Sequence, residues 1–265
     1  MTLEGLRIGL LTASASRLGG GVFEAVVQQA AMIRDLGGNA RIFALADRHS
    51  ADDRHRFGPS PVTFSRVRGP VQIGHAPDLV GELLAADLDC LHLQGIWMYP
   101  SHAAQRWARR TGRPYFVSPH GMLDPWITAR GRWKKALARI GYERASWRAA
   151  TALHALSAKE SADIFRESGR RDSVVIPNPA PLLAPNITSR RLPHLLYIGR
   201  IHPKKNVLAL VEAWSRARVP VEARLTIAGW GDPADIAALE TAVAAGPRSV
   251  QFVGPVFDQA KQDLL

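Results

Sequence analysis

The densest concentration of residues able to do chemistry is Gly199-Arg200-Ile201-His202-Pro203-Lys204-Lys205-Asn206. Gly199 is expected to end a strand, and Asn206 to N-cap a helix opening at Val207. Arg200 and Lys205 then flank a helix N-terminus, where backbone N–H groups and the helix dipole already favour an anion. With two cations added, the stretch reads as a diphosphate site. A basic loop that merely precedes a helix is the plainer alternative.

Three other stretches compete for a role. In Ser118-Pro119-His120-Gly121, proline stops a strand's hydrogen-bond ladder and Gly121 permits a sharp turn, which presents His120 to a cleft. Gly19-Gly20-Gly21 lets the backbone approach a ligand before the first helix, or is simply a flexible loop. Gly229-Trp230-Gly231-Asp232-Pro233-Ala234 fits the dinucleotide fingerprint G-x-G-x-x-A. The next strand ends in Phe252-Val253-Gly254-Pro255, however, without the acidic residue a ribose needs. NAD is therefore disfavoured, and tight turns are the expected reason for those glycines.

Asp87-Leu88-Asp89 looks like a metal-binding D-x-D pair, but it precedes a strand and so lies at the end away from the expected site. No metal and no cofactor is expected. Asn186-Ile187-Thr188 is a glycosylation sequon read as chance.

Short β-branched runs alternate with helical patterns and position these residues. Strands are expected at Leu6 to Thr12, Ala40 to Ala46, Val62 to Arg68, Cys90 to Gln94, Tyr115 to Ser118, Ala152 to Ser157 and Ser173 to Ile176. Helices are expected around Val22 to Leu36, Asp78 to Ala86, Ser101 to Arg110, Arg130 to Trp147 and Ala158 to Ser168. Pro177, Pro179, Pro181 and Pro185 then break the pattern, which restarts with strands at Leu195, Ala223 and Val250 and helices at Val207 and Ala234. Such alternation argues for parallel sheets covered on both faces. The division expected is a Rossmann-like domain over 1–180, a linker over 181–193 and a partial second domain over 194–265.

The chain has 265 residues, one cysteine (Cys90) and 34 Lys/Arg against 23 Asp/Glu, a net charge of +11. A disulfide framework and a Cys-rich zinc module are excluded. No segment is long and apolar enough for a membrane span or reads as a leader, so the cytosol is expected. Between Arg106 and Arg148, eleven basic residues face only Asp124 and Glu143, which places +9 of the charge in one window. Trp133, Leu137, Ile140 and Trp147 share one helical face there, and Arg132, Lys135 and Arg139 line another. A basic amphipathic helix of this kind suits an anionic membrane surface, while packing of its apolar face on the sheet is the compatible alternative. No nucleic-acid motif accompanies the charge, and a nucleic-acid partner is not expected.

Taken together, these motifs resemble glycosyltransferase family 4 (group 1), the retaining transferases of GT-B fold. The resemblance runs the whole length. Its most specific parts are Gly199 to Asn206 with Leu225 to Gly231, and Ser118 to Leu123 with Leu156 to Glu160 look like enzymes of bacterial surface polysaccharide synthesis. It implies a first domain for the acceptor and a second for a nucleoside diphosphate sugar. Arg200 and Lys205, with the Gly20 loop nearby, would hold the donor diphosphate. His120 would contact the donor sugar as the catalytic-site histidine. Gly19, Gly21, Gly121 and Asn178 would belong to acceptor or donor loops. The family's E-x7-E element and last helices would lie beyond Leu265, and glycine would commonly stand at Pro179, so a C-terminally truncated transferase is expected. The activity implied is metal-independent hexose transfer to a sugar or lipid-linked sugar, cytoplasmic and peripheral on the membrane's inner face. The rival is a non-catalytic fragment that binds sugar or nucleotide.

Overall fold

A computed structural model describes residues 2–178, 193–256 and 258–265. The chain divides into two compact units, 1–181 and 182–265. Most of the expected linker, Pro179 and the Asn186 sequon fall outside the described residues.

The first unit is a parallel sheet of seven strands: β1 (Arg7–Thr12), β2 (Asn39–Leu45), β3 (Val62–Ser65), β4 (Cys90–Gln94), β5 (Tyr115–Ser118), β6 (Ala152–Ala155) and β7 (Val174–Val175). Their spatial order is β3-β2-β1-β4-β5-β6-β7. From β1 the chain winds outward in one direction as far as β3. It then returns to place β4 on the other side of β1. The crevice at the carboxyl ends of β1 and β4 is therefore the topological switch point, where open α/β sheets take ligands.

Helices cover both faces: α1 (Gly21–Asp35), the short α2 (Ser50–Asp53), α3 (Leu79–Ala85), α4 (Tyr99–Thr111), α5 (Pro125–Ala129), α6 (Arg132–Ala138), α7 (Arg144–Ala149) and α8 (Ala158–Ser168). On α1 the buried residues are Phe23, Val26, Ala30 and Ile33, one stripe at helical spacing, packed on Ile8 and Leu10 of β1. Leu11, one residue on in the strand, points to the opposite core with Leu83, Trp107 and Trp147. Burial of each large apolar side chain contributes about 1.5–3 kcal/mol, so two such cores hold the sheet from both sides. The stretch after β2, read from sequence as a loop, contains α2 and a 3-10 turn over Arg54–Phe57. Phe57 is fully buried there, in edge-to-face contact with Phe23.

The helix expected over Arg130 to Trp147 runs without a break from Arg132 to Ala149, but it is not α-helical throughout. α6 runs into one π-helical turn, Arg139–Glu143, before α7. The added residue in that turn shifts the phase of everything after it. Trp147 faces the core at 2% exposure, whereas Trp133, Leu137 and Ile140 stand 66%, 63% and 75% exposed. The four do not share a face, and the alternative of apolar packing on the sheet holds for Trp147 only.

The second unit has three parallel strands among its described residues, β8 (His194–Ile198), β9 (Arg224–Ala228) and β10 (Val250–Phe252), in the order β10-β9-β8. Three helices accompany them: α9 (Val207–Arg216), α10 (Pro233–Ala245) and α11 (Asp258–Leu264). Val207, Val211, Leu225, Ile227 and Leu239 form its core. No helix among the described residues is long and apolar enough to cross a membrane.

Candidate functional site

His120 follows β5 at the carboxyl edge of the first sheet, beside the switch point. Its backbone is left-handed, with φ 53°, and Gly121 follows at φ 73°. A non-glycine residue in that region costs on the order of 1 kcal/mol and persists where its surroundings enforce it. The enforcement is Glu160, only 6% exposed, whose Oε1 accepts from Gly121 N at 2.6 Å and Oε2 from Leu156 N at 2.8 Å. Glu160 thus clips the loop after β5 to the loop after β6. It sits in the first turn of α8, where the Ser157 hydroxyl caps its N–H at 3.2 Å.

Behind His120 lies a run of polar side chains that sequence reading missed. His120 Nε2 is 2.6 Å from Gln94 Oε1, and Gln94 Nε2 is 2.6 Å from Gln29 Oε1. Gln29 Nε2 meets His92 Nδ1 at 2.9 Å, and His92 Nε2 meets Ser118 Oγ at 2.7 Å. Ser118 Oγ meets His154 Nδ1 at 2.7 Å, and His154 Nε2 ends on the carbonyl of Ile176 at 2.7 Å. Burial, with a smaller contribution from the neighbouring rings, pushes His92 down to about 3 and His120 down to about 4. Both imidazoles are therefore neutral at pH 7. The only sequence signal was period two along the strands, which sets His92 and Gln94 on one face of β4.

The glycine loop is a built structure, not a slack one. Ser16 caps a 3-10 turn over Arg17–Gly19 by accepting from Leu18 N at 3.2 Å. The hydroxyls of Ser14 and Ser16 donate to Asp47 at 2.7 and 2.9 Å, and Arg17 pairs with Asp53. The Arg17 guanidinium holds the Asp53 carboxyl below its ordinary range. Gly20, at φ 55° and ψ −128°, adopts a conformation open essentially to glycine alone, and α1 starts at Gly21 with no side-chain cap. Its first N–H groups have no intrahelical acceptors, as at any helix start. A Cβ on Gly19 would lie 2.8 Å from the Ser14 carbonyl, while one on Gly21 would meet nothing within 4 Å. Asn178 is exposed just past β7.

In the second unit, Arg200 and Lys205 are exposed on the crossing from β8 to α9. A 3-10 turn over Pro203–Lys205, capped by the His202 side chain, carries the chain across. Asn206 takes a left-handed φ of 53° and its side chain caps nothing, so it serves α9 as a conformational joint and not as the hydrogen-bonding N-cap expected. Gly229 and Gly231 also differ from expectation. Neither has positive φ; a Cβ on Gly229 would fall 1.8 Å from the Gly199 carbonyl oxygen, and one on Gly231 would fall 2.2 Å from that of Ile201. Close approach of two parallel backbones, marked by the Ile201–Gly231 bridge, demands glycine there in place of a tight turn.

The three basic residues of the amphipathic segment are not equivalent. Arg132 is exposed, but Lys135 Nζ donates to the carbonyls of Ile127 and Arg130, and Arg139 pairs with Glu167 over the ring of Trp97. With Arg166 they line a groove of about 510 Å³ beside Trp133. At the opposite, amino end of the sheet, Asp87 and Asp89 pair with Arg7, and Asp87 also with Arg113.

A family model described as glycosyl transferase 4-like domain matches residues 20–179. The structure is similar to that of Alr3699/HepE from Anabaena in complex with UDP and glucose, at TM-score 0.73 and 16% identity over 95% of this chain and 70% of that one. It is similar to the lipopolysaccharide outer core galactosyltransferase WaaB, at TM-score 0.60 and 16% identity over 98% and 70%. An alpha-glucosyltransferase in complex with UDP and DNA aligns at TM-score 0.64 and 12% identity over 98% and 69%. No curated protein matches the sequence. At these identities the likeness establishes the fold, that of GT-B glycosyltransferases with part of a second Rossmann-like unit. The match to the family model covers more than half of the sequence, and the chain belongs to the glycosyl transferase 4-like family.

Proposed function

We propose that this glycosyltransferase moves a hexose from a nucleoside diphosphate sugar to a sugar or lipid-linked sugar, with retention and without a metal ion, in bacterial surface polysaccharide synthesis. The observation that carries the reading is His120, a neutral imidazole in a strained turn beside the switch point, backed by a buried polar chain. A neutral ring suits hydrogen bonding to a sugar hydroxyl without attracting stray anions. Arg200, Lys205 and the α9 N-terminus would neutralise the leaving diphosphate, the role a bound cation would otherwise fill. The Gly20 loop and the start of α1 would take a phosphate or the acceptor. Gly19, Gly21, Gly121 and Asn178 would line the donor and acceptor loops.

That HepE was solved with UDP and glucose supports a uridine nucleotide as the first donor to try. A lipid-linked acceptor would bring the protein to the inner face of the membrane, and the exposed Trp133, Leu137 and Ile140 beside Arg132 and Lys134 support such contact. The test is nucleotide release from UDP-sugars and GDP-sugars with a saccharide or lipid-linked acceptor, with and without chelator. Acceptor-dependent release that survives chelation is expected. Release that needs a divalent cation overturns the metal-free mechanism, and donor binding without release overturns the transfer.

A further inference from the structure

We propose that Gln94, Gln29, His92, Ser118 and His154 are positioning residues. They form one directional chain of hydrogen bonds, anchored on the Ile176 carbonyl, that presents His120 Nδ1 as an acceptor for a ligand hydroxyl.

The direction follows from the fixed end. A backbone carbonyl only accepts, so His154 Nε2, 2.7 Å from Ile176 O, carries its proton. With that as the ring's single proton, Nδ1 is a lone pair, and Ser118 spends its one hydroxyl proton on it at 2.7 Å. Ser118 Oγ is left to accept, so His92 holds its proton on Nε2. The bare His92 Nδ1 takes an N–H of Gln29, which fixes that amide and turns Gln29 Oε1 to Gln94 Nε2. Gln94 is fixed in turn, and its Oε1 takes the Nε2 proton of His120. Only Nδ1 of His120 remains, without a hydrogen-bond partner among the described residues.

Reversing any one link sets two protons or two lone pairs against each other in a site where Gln94 is 3% exposed and Ser118 fully buried. Such a mismatch is expensive away from water. A ring locked in this way accepts from a hydroxyl and offers no N–H outward to a phosphate or carboxylate oxygen. The chain of bonds stands by itself. Its use on a sugar rests on the function proposed above.

The measurement is ring-nitrogen NMR of the full chain with isotope-labelled histidine near neutral pH. His92, His120 and His154 should each carry the proton on Nε2, with Nδ1 bare. Gln29→Glu puts a carboxylate, which only accepts, between two neighbours. The His120 side of the chain should stay as it is, while His92 should gain a proton on Nδ1 at a distance from any ligand. Should that variant not fold, Gln94→Leu removes the acceptor of His120, whose Nε2–H should then exchange freely with water. Its affinity for UDP-glucose should drop about two- to tenfold, as for one lost hydrogen bond, with affinity for UDP unchanged.

A proton on Nδ1 of His92 or His120 in the wild type overturns the proposal. A bare His92 Nδ1 beside an ionised carboxylate in folded Gln29→Glu, or a still-protected His120 Nε2–H in Gln94→Leu, does the same. If the wild-type pattern holds but bound UDP-glucose leaves the His120 signals unmoved, the sugar contact fails and the chain of bonds survives.

Discussion

The backbone N–H of Trp97 donates to the Oε1 of Glu143, a carboxylate 46 residues further along the chain. Trp97 is the second non-glycine residue at the carboxyl edge with a left-handed backbone, φ 77°, and Glu143 lies in the π-helical turn. The same Oε1 accepts from Ser101 Oγ at 2.8 Å, so one buried carboxylate ties the loop after β4 to α4 and to the segment between α6 and α7.

Burial raises Glu143 to about 7, against partial compensation by its hydrogen bonds from Ser101 and Trp97. A carboxyl whose folded pKa exceeds its unfolded value favours the protonated folded state. The associated stability is complete below about pH 4.5 and is lost as pH rises toward 7. Glu143→Gln should flatten this dependence and be more stable than wild type at pH 8, by up to on the order of 3 kcal/mol. Thermal melts from pH 5 to 8 check it; parallel curves for the two proteins would contradict the assignment.

Arg200→Ala and Lys205→Ala should each weaken binding of a nucleoside diphosphate by about 1.5–3 kcal/mol, the worth of a charge-assisted contact. Both side chains are exposed, so melting should change little. Calorimetry with UDP and GDP decides; full affinity in both variants removes the phosphate site from this loop.

Two glycines should respond in opposite ways. Gly229→Ala drives a methyl to 1.8 Å from a backbone oxygen, which no side-chain motion relieves. It should destabilise the second unit by more than about 3 kcal/mol. Gly21→Ala has open space and an ordinary helical start, so stability should hold or rise by up to about 1 kcal/mol. If a phosphate or sugar lies against that helix start, the same methyl lowers its affinity. Denaturant melts and donor titrations on the two variants separate these effects.

Contact with anionic vesicles should depend more on Trp133, Leu137 and Ile140 than on Lys135 and Arg139, which the protein already uses internally. Replacing the three apolar residues by serine should abolish co-sedimentation. Arg132→Gln with Lys134→Gln should weaken it by about 1 kcal/mol per charge, and salt should mimic that loss. Equal binding to neutral vesicles would make the surface a general apolar patch.

The sequence by itself determined the elements and their alternation. β4 and β5 begin and end where the apolar runs do, and α8 spans Ala158 to Ser168 between its serine cap and Gly169, because these signals are local in the chain. It also marked His120, Arg200 and Lys205, since a strand end or helix start can be read from neighbouring residues. What supports His120 could not be read that way. Gln29 comes from α1, His92 and Gln94 from β4, Ser118 from β5 and His154 from β6, and only the strand order β1-β4-β5-β6 brings them together. The segment after Arg130 shows the same limit in one dimension. A strict 3.6-residue period joined Trp133 to Trp147, but burying Glu143 and Trp147 against the sheet requires the extra residue of a π turn. Packing, which acts across the fold and not along the chain, chose that phase and left Trp133 facing outward.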